Sequence, residues 1–292
     1  MPPHAPDALP SPLDTYQQLV RLCEPLAVAL EGDHATTSVH STRTAVLGSG
    51  VDESADGLID ERVDASINGP IKMLIKTLID GEGARIAAAH GAPARRDVAA
   101  SRALHHYLWS VCLLFSGPWY LAGQVPRIPR EALRVNPHAT VFTLRVDQVE
   151  FLPGDGDALR AAVAAHAGPV LDAFAPAVRR GARALWGMVT DDLASGLWYL
   201  GRVLGDEGDG IRAATAVLPG ATPPLPGAAD FRTLHAPSGR HHPTRTRLSC
   251  CLHYATGAGA EACLTCPRTP DAERVPRLEE AAGQAAARAT GG

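Results

Sequence analysis

Four of the six cysteines in this chain fall within seventeen residues near its C-terminal end, and that spacing constrains the fold more than any other feature. The run reads Arg247-Leu248-Ser249-Cys250-Cys251-Leu252-His253-Tyr254 and, after a gap that closes at Ala262, Cys263-Leu264-Thr265-Cys266-Pro267-Arg268. Residues Met1 to Leu13 lack the basic start and apolar run of a secretory signal, so a cytoplasmic location is expected. In a reducing compartment, clustered thiols are more often metal ligands than disulfide partners. The Cys263-x-x-Cys266 half has a common ligand spacing, because a tight turn can aim both sulfurs at one ion. The adjacent Cys250-Cys251 pair is harder to place. Neighbouring side chains diverge in helix and strand alike, so a single tetrahedral ion demands a sharp turn there. A two-iron centre spreads four ligand positions over a longer object. On the residues alone, a [2Fe–2S] cluster, a structural zinc and redox-active thiols all remain open.

The rest of the chain reads as an ordinary globular protein. It has 292 residues, 46% of them hydrophobic, and 27 basic against 31 acidic side chains give a net charge of −4. That balance argues against a nucleic-acid footprint over the whole molecule. No Gly-x-Gly-x-x-Gly, Walker loop, His-Glu-x-x-His or Gly-x-Ser-x-Gly occurs, which removes the common dinucleotide, phosphate, zinc-protease and hydrolase signatures. The uncharged stretch from Ala103 to Pro126 has only nine nearly continuous apolar residues, Tyr107 to Phe115, and is expected to be a buried helix rather than a membrane span.

Hydrophobic periodicity predicts a mainly α-helical α+β protein with a small antiparallel β element. Residues 1–12, with five prolines, are expected to be a flexible start, followed by a mainly helical body over 13–240. A first helix begins after Pro12, with Leu13, Tyr16, Leu19, Cys23 and Leu26 on one stripe. Thr36 to Val51 reads as a short strand or extended loop. The Asn68-Gly69-Pro70 turn signal predicts a helix starting just after the proline, with Lys72 and Lys76 on its wet side. A third helix is expected from Asp97 to Phe115, stopped by Gly117-Pro118. Alternating β-branched and aromatic residues place the strand element around 139–151. Two helices follow, Asp157 to His166 and Gly168 to Arg180, and then the most regular one, Arg183 to Leu204, whose Trp186 and Trp198 are expected to pack. Residues 205–240 read as a Pro/Gly-rich connector, 241–268 as the cysteine segment and 269–292 as a tail. Cys112 is expected to be inert core, His241 and His242 loop residues, and one ring of the His105-His106 pair a backbone cap.

Arg-x-x-Cys-Cys-x-x-Tyr followed by Cys-x-x-Cys-Pro resembles the C-terminal signature of the FhuF-type siderophore-iron reductases. The matching positions are Arg247, Cys250, Cys251, Tyr254, Cys263, Cys266 and Pro267. Eleven residues separate the two pairs, one more than the family pattern usually has, and the extra residue falls in the Gly257-Ala258-Gly259 loop. The helix containing Leu185-Trp186-Gly187, with the connector after it, resembles the family layout more weakly. The resemblance implies a [2Fe–2S] cluster held by Cys250, Cys251, Cys263 and Cys266 in a cysteine-rich lobe, with Arg247, Tyr254 and Arg268 around it. It also implies a cytoplasmic oxidoreductase that reduces Fe³⁺ in a ferric siderophore, with electrons from a ferredoxin or a flavin-dependent reductase. Neither nucleic acid nor a membrane span belongs to that expectation. From Phe231 to Arg268 there are five arginines and four histidines against the lone acid Glu261, so the segment is locally basic. Guanidinium groups there would stabilise a reduced, more negative cluster, or would simply be solvated. Two alternatives stand beside this reading: a helical binding or scaffold protein stapled by a structural Cys₄ zinc site, and a [2Fe–2S] redox or iron sensor.

Overall fold

A computed structural model describes residues 10–32, 71–136 and 141–290 of the chain. The expectations for the first nine residues, for Thr36 to Val51 and for the Asn68-Gly69-Pro70 turn lie outside these.

Among the described residues there are seven helices and seven short strands. Helix α1 (Pro12–Leu22) starts where Ser11 accepts a bond from the Asp14 amide and proline opens the first turn. Strand β1 (Val28–Glu31) follows, and α2 is described over Ile71–His90 with Lys72 and Lys76 exposed. Helix α3 (Arg96–Ala122) is the centre of the core: Leu104, Leu108, Val111, Cys112, Leu113 and Leu114 are all fully buried. It is enclosed by α1, α2, and the later α4 (Gly156–Val178) and α5 (Ala182–Val203), which explains a stretch without charge. Cys112 is inert core, and burial pushes its thiol far above the ordinary range.

Gly117-Pro118 does not stop α3; both residues sit inside it. Proline removes the bond to the Leu114 carbonyl, and the Tyr16 hydroxyl donates to that carbonyl instead, at 3.1 Å. A Cβ on Gly117 would stand 2.6 Å from Leu19 Cδ1, so the glycine is what lets α1 lie against the helix. Likewise Gly168-Pro169 does not divide the next segment, and α4 is one continuous helix. By length and composition α4 could cross a membrane, with mean hydropathy 1.3 over a window that is 39% buried.

The strand element expected at 139–151 is split. Strands β2 (Gln124–Arg127), β3 (Leu133–Asn136), β4 (Val141–Arg145) and β5 (Glu150–Pro153) form two small sheets, with a 3₁₀ turn at Val146–Gln148 sending β4 and β5 to different ones. Strand β4 pairs antiparallel with β3 and parallel with β1 (Val28 opposite Phe142), while β2 and β5 pair antiparallel.

Residues 205–240 are not a bare connector. They contain α6 (Glu207–Val217) and β6 (Phe231–His235), and the glycines that made them look irregular bring backbones together: a Cβ on Gly201 would lie 2.6 Å from the Cα of Gly210. Strand β6 pairs antiparallel with β7 (His241–Arg245), so His241 and His242 are strand residues, and His242 Nε2 meets Glu279 Oε1 at 2.5 Å. The expected tail carries a helix, α7 (Asp271–Thr290), anchored by the buried Arg274. Trp198 packs edge-on against Phe231.

Candidate metal centre

The cysteine segment is fastened to α5 by two buried carboxylates. Asp191 accepts from Arg245 Nη2 at 2.7 Å and from the backbone amides of Leu248 and Ser249 at 2.9 and 2.8 Å. Asp192 accepts from Arg247 Nη2 at 2.9 Å and meets His105 Nδ1 at 3.0 Å. Arg245, Asp191 and Asp192 have no exposed surface. Burial raises the Asp191 carboxyl against the pull of Arg245 and Arg247, whereas His105 and Arg247 overcome the same desolvation and hold Asp192 below the usual range. Gly187 permits the close approach: a Cβ there would stand 2.6 Å from Ser249 Oγ, which donates to the Ala184 carbonyl at 2.6 Å. His105 therefore faces a carboxylate rather than capping a backbone group, and His106 bonds Arg102 Nη2 at 2.7 Å and lies 3.3 Å from Glu82.

The chain then turns sharply. Leu252 adopts the left-handed conformation (φ 61°) and opens a 3₁₀ turn at His253–Ala255, which reorients the backbone directly after the adjacent cysteines. The Arg247 amide donates to the Thr265 carbonyl at 2.9 Å, joining the two halves of the motif, and the Cys266 amide closes the Cys263-x-x-Cys266 turn on the Cys263 carbonyl at 3.0 Å. From α7, Arg274 Nη2 donates to the Cys266 and Thr269 carbonyls and Arg277 to that of Ala262.

The four thiols come together as two pairs. Cys250 Sγ and Cys266 Sγ stand 3.8 Å apart, and Cys251 and Cys263 lie close enough to act on each other electrostatically. Two thiolates on one tetrahedral ion, with bonds of about 2.3 Å, stand about 3.8 Å apart, so the Cys250–Cys266 spacing is that of two ligands of one metal. Among the described residues no group of three or more His, Cys, Asp or Glu side chains converges on one point. Donors surround the sulfurs: Arg102 Nη1 reaches Cys251 Sγ at 3.3 Å, the Leu252 amide Cys250 Sγ at 3.4 Å and the Arg268 amide Cys266 Sγ at 3.5 Å. The interaction with Cys263, with the charges of His105, Arg247 and Arg102, lowers the Cys251 thiol to about 3; Cys263 rises in consequence, and burial raises Cys250. These are the donors a thiolate ligand set requires.

Of the surrounding residues expected from sequence, Arg247 is buried and faces the thiols electrostatically, and the Arg268 guanidinium lies 4.9 Å above the Tyr254 ring. Asp191, Asp192, Arg102 and Glu82 had no signal beyond two adjacent acids in an otherwise apolar helix pattern, and Arg245 stood out only as one arginine of the basic segment. A cavity of about 330 Å³ opens beside the centre, lined by His105, His106, Trp109, Asp192, Ser195 and Arg247.

Residues 247–268 match the family model described as the FhuF 2Fe-2S C-terminal domain. No curated protein matches the chain. Over its cysteine segment the chain is therefore similar to the FhuF 2Fe–2S C-terminal domain.

Proposed function

We propose that this chain is a cytoplasmic ferric-siderophore reductase in which Cys250, Cys251, Cys263 and Cys266 hold a [2Fe–2S] cluster. Chelated Fe³⁺ is the substrate, Fe²⁺ the product, and a ferredoxin or flavin-dependent reductase the source of electrons. The observation that carries the reading is the 3.8 Å approach of Cys250 and Cys266, with Cys251 and Cys263 interacting electrostatically beside them, within the segment matched by the 2Fe–2S domain.

A [2Fe–2S] centre on four thiolates supplies one electron at a time, at potentials on the order of −400 mV in plant-type ferredoxins. The chain's own residues do the rest. Arg102 and the Leu252 and Arg268 amides donate to the sulfurs and stabilise their negative charge. Arg247, fixed by Asp192, adds a cation that cannot swing away. The Leu252 turn and the α7 arginines hold the ligand loops and limit the access of water to Cys251 and Cys266, which are 3% and 1% exposed. Hard oxygen donors hold Fe³⁺ far more tightly than Fe²⁺, so a single electron loosens the chelate and no general base or nucleophile is needed.

The zinc-scaffold reading asks all four sulfurs to surround one ion. The sensor reading asks for a cluster without turnover. Anaerobic mixing of the reduced protein with a ferric siderophore, with released Fe²⁺ trapped by a ferrous chelator, separates these. The expected result is about one Fe²⁺ per chain in a single turnover, lost in Cys263→Ser. A reduced protein that leaves the ferric chelate intact, or a Cys263→Ser variant that reduces it at the wild-type rate, would contradict the proposal.

A further inference from the structure

A cavity of about 660 Å³ lies where the start of α3 meets the end of α4, lined by Arg95, Arg96, Asp97, Pro176, Ala177 and Arg179. Two of its cations are bonded to carboxylates: Arg95 to Asp97 and Arg96 to Asp80, each at 2.9 Å. Their side chains are nonetheless 73% and 59% exposed. Arg179 is exposed and has no carboxylate partner among the described residues. None of these guanidiniums is used by the buried network that holds the cysteine segment.

The cavity is linked to the cysteines from both sides. Beyond Arg179, the next residue, Arg180, donates through Nη1 to the carbonyl of Cys250. On the other side, Tyr254 lies close enough to act on the charge of Arg95, and the exposed Arg268 stacks on Tyr254, two residues past Cys266. An arginine-rich face therefore runs along the rim of the thiol pairs, on a molecule whose overall charge is −4.

We infer that this face, built on Arg95, Arg96, Arg179 and Arg268 beside Cys250, is the docking surface for an acidic one-electron redox protein. The inference rests on the reductase reading and deepens it by naming the partner's chemistry and its place of contact. Charge complementarity selects the occupant. An acidic protein is repelled by the net negative charge of the rest of the surface and attracted here, so encounter itself orients the donor toward the cysteine rim. Arginine suits the task, because its planar fork bonds carboxylates in bidentate fashion. In the transfer one electron leaves the donor and enters the thiolate-held centre, and no covalent bond forms or breaks.

The test uses the double variant Arg95→Asp, Arg179→Asp. Both changes suit the local backbone: Arg95 is the N-cap of α3, where aspartate is favoured, and Arg179 has φ 57°, a conformation aspartate tolerates. The reduced probe is an acidic plant-type [2Fe–2S] ferredoxin, mixed anaerobically with the oxidised full-length protein and followed by stopped-flow absorbance. The expected result is at least about tenfold slower bimolecular reduction of the variant at low salt, with a flattened salt dependence. Reduction by dithionite stays unchanged. Equal rates for variant and wild type, no reduction of the wild type by the ferredoxin, or a variant that loses only its affinity for an anionic ferric chelate would overturn the inference. A wild-type protein that dithionite cannot reduce overturns the reductase reading itself, and this inference with it.

Discussion

A carboxylate removed from water must be matched by cations, and Asp192 has Arg247 and His105 against it. Replacing it with asparagine leaves the buried Arg247 with only Asp191, at 3.6 Å, as a counter-charge, so Asp192→Asn should cost about 3 kcal/mol at neutral pH. Because the folded carboxyl titrates below its unfolded value, the stability gained from ionisation is fully present above about pH 3.9 and disappears as pH falls through the lower folded value. Urea unfolding across the acid range checks this: the gap between wild type and variant should close below about pH 4, and a constant gap would show that Asp192 is not ionised in the folded protein. Little of this network was legible in the sequence. Asp191 and Asp192 meet Arg245 and Arg247 across separations of 54 and 55 residues, and a helix pattern dominated by Leu193, Leu197 and Leu200 gives no hint that its acids are buried. The ligand candidates were legible because they are local: two tight turns must present the thiols, and the spacing of the cysteines records both.

Helix α5 and the cysteine segment approach each other through Gly187, and here a methyl group is enough to test the packing. Gly187→Ala places Cβ on Ser249 Oγ, which is pinned by its bond to Ala184, so a loss of about 1–3 kcal/mol is expected. Ser249→Ala removes both the obstruction and the bond. Thermal unfolding of the double variant should therefore show less destabilisation than the sum of the singles, and strict additivity would mean that the segment does not sit as close as the structure has it. Glycine and proline also explain where sequence reasoning misplaced elements. Gly117-Pro118 looks like a stop and is a packing site, because Tyr16 supplies the bond that proline removes. Gly168-Pro169 lies within α4, and the glycines of 205–240 allow α5 and α6 to touch instead of marking a loop. At Gly117-Pro118 the compensating group is remote in sequence, and local propensity carries no trace of it.

At the scale of the molecule, a helical body with a continuous buried core supports a small lobe whose interior is largely polar. The hairpin of β6 and β7 delivers the cysteine segment to α5, and α7 closes over it through Arg274 and Arg277. The helical α+β character was legible because amphipathic periodicity is a property of each helix alone, whereas the parallel pairing of β1 with β4 depends on partners more than a hundred residues apart. The central claim is the proposal that these thiols hold a [2Fe–2S] cluster, whose binding would add to the order of the lobe. The most direct measurement is the visible absorption spectrum of anaerobically purified protein, with iron, sulfide and zinc assayed on the same sample. A reddish protein with about two irons and two sulfides per chain is the predicted result; a colourless protein with about one zinc per chain would contradict it.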